Sequence, residues 1–145
     1  MLDQLRANDE VAIVTYAGSA GQILDPTSAP IKRILGALER LQAGGSTHGQ
    51  ARLQQAYLAA LQMTAPQEVT RVILATDGDF NLSLSDHEQL TDYIAKQRHC
   101  GVYLSLLRFG RGNLNDATLQ ALAQNGNRQA AYIDKLSEAQ KVLVD

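Results

Sequence analysis

Asp77 closes the apolar run Val72-Ile73-Leu74-Ala75-Thr76 and is followed at once by Gly78 and Asp79. A carboxylate delivered at the exit of a strand, beside a residue that permits a tight turn, can ligate a metal ion or serve as a general base. It can equally cap the turn at Gly78 through its own side chain, and position alone favours neither role. Thr47 lies in Gly44-Gly45-Ser46-Thr47-His48, just ahead of an expected helix. Hydroxyls and free amides at a helix start can hold an anion or offer an oxygen to a hard cation. The competing reading is a plain N-cap by Ser46 or Thr47.

Three other groupings invite chemistry and offer less. His48 with Asp77 suggests a hydrolase, but the sequence has no G-x-S-x-G elbow. Gly110-Arg111-Gly112 resembles a phosphate turn without the full G-x-G-x-x-G pattern that a dinucleotide site needs. His99 and Cys100 are adjacent, and neighbours on a strand face opposite ways. Cys100 is the only cysteine, so an intrachain disulfide is excluded and a zinc cluster is disfavoured.

These residues need elements to position them. Residues 1–6 read as the end of a helix, with Leu2 and Leu5 three apart. Residues 11–16 form an apolar strand, and residues 22–24 a short edge strand ended by Asp25-Pro26. Pro30 opens a helix whose stripe Ile31, Ile34, Leu35, Leu38 and Leu41 is expected to face inward. A second helix carries Leu53, Ala56, Tyr57, Ala60 and Leu61 on one face and exits at Pro66. Residues 70–76 give the strongest strand signal, apolar on both faces. Ser85-Asp86-His87-Glu88 has the form of a capping box ahead of Leu90, Tyr93 and Ile94. A strand follows over 102–107, then a helix capped within 113–116 and carrying Leu119, Leu122 and Ala123. The last strand spans 130–133, and a final helix starts at Ser137.

Strands that alternate with helices imply an α/β fold with a mostly parallel, doubly wound, Rossmann-like sheet and helices on both faces. Ligands of such sheets bind beyond the carboxyl ends of the strands. That points to the loops 16–19, 77–81 and 110–115, joined by 44–49 at a helix start. The 145 residues suit one domain. A net charge of −2 argues against broad nucleic-acid binding. No apolar run approaches a membrane span, and Asp3 and Arg6 interrupt any leader-like stretch at Met1.

Three segments together carry a family likeness: residues 9–18, Leu41-Gln42-Ala43-Gly44-Gly45-Ser46-Thr47, and residues 72–81. In this order, over nearly the whole chain, they resemble a von Willebrand factor type A domain of the bacterial kind. The resemblance implies a protein-interaction module with a metal-ion-dependent adhesion site. Mg²⁺ or another divalent cation sits there at the top of the sheet, and an acidic side chain of the partner completes its coordination. Thr47 and Asp77 match two of the family's metal positions. The Asp-x-Ser-x-Ser motif has no match in this sequence. The family places it ahead of the helix that ends at Leu5, so the expectation over residues 1–145 is a domain without its first central strand. Its metal site is then incomplete, weak or unoccupied in this chain. The sheet edges exposed by the absent strand either close on each other or pair across a homodimer, and the homodimer is the favoured expectation. A structural domain with a vestigial site, and a metal-assisted hydrolase using Asp77 with His48 or Asp79, are the alternatives. An enzyme is not expected.

Overall fold

The computed structural model describes residues 5–15, 22–28, 31–41, 49–76, 84–109, 116–126, 129–133, 137, 138 and 141. Among these residues the elements are β1 (Glu10–Val14), β2 (Gln22–Ser28), α1 (Ile31–Glu39), α2 (Gly49–Met63), β3 (Thr70–Thr76), α3 (Leu84–His99), β4 (Val102–Phe109), α4 (Asp116–Gly126) and β5 (Gln129–Ile133). Residues 137, 138 and 141 are helical, where a final helix was expected.

The strands form two sheets. β3, β4 and β5 are parallel and lie in that order, while among the described residues β1 pairs only with β2, antiparallel. β1 and β3 are not paired with each other, so direct closure of the two halves does not occur. Helix α2 lies against β1, β2 and β3 and so bridges the two sheets.

The main core joins one face of the parallel sheet to three helices. Val72, Leu74, Val102, Leu104 and Leu106 meet Leu53, Tyr57 and Ala60 of α2, Leu90 and Ile94 of α3, and Leu119, Leu122 and Ala123 of α4. The strand residues are two apart and the helix residues three or four apart, as each geometry requires. Tyr57 meets Tyr93 edge-on, with ring centroids 5.5 Å apart. Helix α4 comes so close to β4 that a Cβ on Gly126 would collide with the Cβ of Leu104. A smaller cluster of Leu24, Ile34 and Ala37, with Leu5, Val11 and Ile13 against it, joins α1 to β1 and β2.

Several local expectations give way to tertiary context. Of the helix end expected over residues 1–6, residues 1–4 lie outside the described residues, and Leu5 and Arg6 are not helical: Arg6 donates its amide to Asp9 Oδ2 at 2.7 Å and accepts the Asp9 amide, closing a turn. Strand β2 runs through Asp25-Pro26 instead of stopping there. Its register skips a residue between Thr27, opposite Val11, and Leu24, opposite Ile13, and a bulge on a strand with one neighbour accommodates the proline. On α1 only Ile34 and Ala37 among the described side chains are buried. Leu35, Leu38 and Leu41 stand 40–45 % exposed, because this helix packs on the narrow β1–β2 pair alone. Helix α3 already includes Leu84, so Ser85 lies in the first turn and not ahead of it. Strand β3 has the expected limits but strictly alternating burial: Ile73 is 40 % exposed between buried Val72 and Leu74.

Candidate functional site

Parallel pairing brings three carboxyl ends to one edge. Thr76 stands opposite Arg108, and Arg108 opposite Tyr132. This row lies one residue before Asp77, where an open parallel sheet binds its ligands. Thr76 is buried, and Arg108 is only 6 % exposed although it sits next to the end of β4. Its guanidinium carbon lies 5.7 Å from the centre of the Tyr132 ring, whose π face attracts a cation. Gln120 of α4 donates from Nε2 to the Tyr132 hydroxyl at 3.4 Å. A buried guanidinium costs several kcal/mol unless its surroundings compensate it, and the Tyr132 ring is one such surrounding.

Thr47 and Asp77 lie outside the described residues, as do Ser46, His48, Asp79, Asn81 and the Gly110-Arg111-Gly112 turn. His99 and Cys100 are described: the first ends α3, the second begins the turn into β4, and both are exposed. Among the described residues, no group of three His, Cys, Asp or Glu side chains is placed to hold a metal ion. One hydroxyl and one carboxylate, the pair that Thr47 and Asp77 offer, fall short of the oxygen set Mg²⁺ requires. The two alone do not fit a tight dication site.

Arg108 is the residue that sequence reasoning missed. A strand read as ending at Leu107 leaves Arg108 in a loop, but β4 continues to Phe109 and places Arg108 on the side of Leu104 and Leu106. The aromatic residue after the arginine is the signal that could have extended the strand.

With this fold and edge established, comparison places the chain. Residues 1–79 match the model of the von Willebrand factor type A domain. The chain is 42 % identical to YfbK of Escherichia coli (strain K12) over 144 residues, 99 % of this chain and 25 % of that protein. The chain belongs to the von Willebrand factor type A domain family, and it spans about a quarter of the length of that curated relative. Among solved structures, BatB from Bacteroides thetaiotaomicron superposes with a TM-score of 0.73 at 22 % identity, covering 98 % of this chain and 78 % of that one. A von Willebrand factor type A protein from Catenulispora acidiphila gives a TM-score of 0.72 at 21 % identity, over 98 % of this chain and 33 % of that one. At such identities these structures establish the shared fold. No helix among the described residues is long and apolar enough to cross a membrane.

Proposed function

We propose that this chain is a non-enzymatic protein-interaction module that meets its partner at the carboxyl edge of the β3–β4–β5 sheet. The observation that carries this reading is the row Thr76–Arg108–Tyr132, which lines up polar side chains of three strands beside the position of Asp77. Family membership supports it, since domains of this family commonly serve protein interaction. In the proposal Thr47 and Asp77 contribute a hydroxyl and a carboxylate to a divalent cation, Mg²⁺ by preference, and an acidic side chain of the partner supplies a further oxygen. The remaining donors come from outside these residues, so this chain by itself holds no cation tightly.

A second reading is a structural domain whose metal site is vestigial, because one hydroxyl and one carboxylate fall short of the oxygen set that Mg²⁺ requires. Calorimetric titration with Mn²⁺ separates the readings. The 145-residue chain is expected to show no micromolar binding, and a polypeptide extended upstream of Met1 is expected to bind Mn²⁺ in a manner lost in Asp77→Ala. Micromolar binding by the short chain that disappears in Asp77→Ala contradicts the incomplete-site reading. Absence of binding in the extended polypeptide leaves the structural domain.

A further inference from the structure

Helix α1 carries basic charge that the described residues do not answer. Lys32 and Arg33 lie on the helix and Arg40 follows it directly, against a single acid, Glu39. The chain as a whole has a net charge of −2, so this patch is opposite in sign to the molecule. Arg33 makes no hydrogen bond or ion pair among the described residues. Arg40 donates from Nε to the Gly36 carbonyl at 3.2 Å. Residues four apart are stacked on one helix face, so this bond folds the Arg40 side chain back by a turn, toward Arg33. A guanidinium has five N–H donors, and the bond uses one. Arg33, Gly36 and Arg40 line one cleft of about 460 Å³ between α1 and β2, with buried Leu24 as its apolar wall.

Gly36 sits inside this helix without a local reason. Glycine weakens a helix relative to alanine. Among the described glycines the positive φ belongs to Gly101 and not to Gly36, so the backbone does not demand glycine here. Packing does not demand it either, since a Cβ on Gly36 would meet nothing within 4 Å. What the missing side chain does is keep the floor of the cleft open between the two arginines.

The occupant follows from charge and size. Guanidinium groups recognise planar carboxylates through paired N–H bonds. Two of them line one opening, and no acid is among the described residues that line it. The cleft is far larger than one small ion needs, and part of its wall is apolar. A peptide whose carboxylates address Arg33 and Arg40 while an apolar side chain covers Leu24 complements both features. We propose that this cleft is a docking site for an acidic segment of a partner protein, gripped by Arg33 and Arg40 over the open floor at Gly36. The site lies on α1 and β2, which contribute nothing to the row Thr76–Arg108–Tyr132. It requires no metal and fails or holds separately from the reading of the carboxyl edge.

Fluorescence anisotropy with a short capped peptide, in which glutamates flank a leucine, tests it. The titration uses the 145-residue chain in excess EDTA, so that no cation takes part. The peptide is expected to bind, about tenfold or more weakly in Arg33→Gln/Arg40→Gln, and less tightly as salt rises from about 50 to about 500 mM. Gly36→Leu is the discriminating variant. It keeps both charges, the open space at Gly36 accepts the side chain, and leucine favours the helix. It is expected to keep the wild-type circular dichroism and urea midpoint, or to raise the midpoint, while losing affinity by a similar factor. Absence of binding to the wild-type chain overturns the proposal. Unchanged affinity in Gly36→Leu also overturns it, since the attraction is then diffuse charge and not a cleft. So does displacement of the peptide by inorganic phosphate as effectively as by unlabelled peptide, the behaviour of a simple anion site.

Discussion

Tyr57 shows how one atom sets a local balance. Its ring fills the core between α2 and α3 and is fully buried, yet its hydroxyl has no hydrogen-bond partner among the described residues. A buried unsatisfied hydroxyl costs about 1–3 kcal/mol. Tyr57→Phe keeps the edge-on contact with Tyr93 and removes that cost, so the urea midpoint at neutral pH is expected to rise, by about 1 kcal/mol in stability. Burial, with Tyr93 beside it as a lesser cause, holds the Tyr57 phenol well above its ordinary 10.0. The neutral form is the one the folded state keeps. Below pH 10 the contribution is fully present. Above it the unfolded chain ionises first, and stability falls as pH rises toward the folded value. Urea midpoints between pH 8 and 11 are expected to fall less steeply in Tyr57→Phe than in the wild type. Tyr93, also raised by burial, keeps part of the slope. An equal slope in the variant contradicts this assignment.

At the scale of elements, β3 divides into two faces with different consequences. Leu74 is buried among three helices, whereas Ile73 is 40 % exposed on the face that carries Arg71 and Ala75. On that face Arg71 donates from Nη1 to Ser105 Oγ of β4 at 2.6 Å. Leu74→Ala is expected to destabilise by about 2–5 kcal/mol through lost burial and a residual cavity. Ile73→Thr keeps the β-branched shape and is expected to cost about 0.5 kcal/mol or less. Denaturant titration of the two variants checks the contrast, and comparable losses would show the outer face to be covered. The run Val72-Ile73-Leu74-Ala75 reads as a strand buried on both sides, because composition reports what a strand tolerates and not which neighbours are present. The exposed leucines of α1 teach the same lesson: the helical period is real, but the narrow β1–β2 pair covers only the part of the stripe at Ile34 and Ala37.

At the scale of the whole molecule, stability is unevenly shared. The cluster on the parallel sheet draws on three helices and two strands. The cluster under α1 has three buried residues, and the lobe it supports is tied to the rest through α2. Local opening is cheapest where few apolar contacts are lost. Amides of β1 are therefore expected to exchange at lower urea than those of Val102, Leu104 and Leu106 in β4, by native-state hydrogen exchange followed by mass spectrometry. Coincident opening of the two regions would show one cooperative unit.

Sequence alone determined the order of elements, the limits of β3 at Thr70 and Thr76, and the inward residues Leu53, Tyr57, Ala60, Leu119, Leu122 and Ala123. These rest on local periodicity, which every chain segment carries within itself. It also singled out Asp77 as a residue at a strand exit, since a strand end and its turn are local too. Tertiary structure alone decided that β2 passes through Pro26 on a bulge, and that Arg108 is drawn under the carboxyl edge beside Tyr132. Pairing and burial depend on residues distant in the chain. Arg108 is the clearest instance: a charged residue after an apolar run reads as the start of a loop, whereas ladder pairing opposite Thr76 and Tyr132 continues the strand through it.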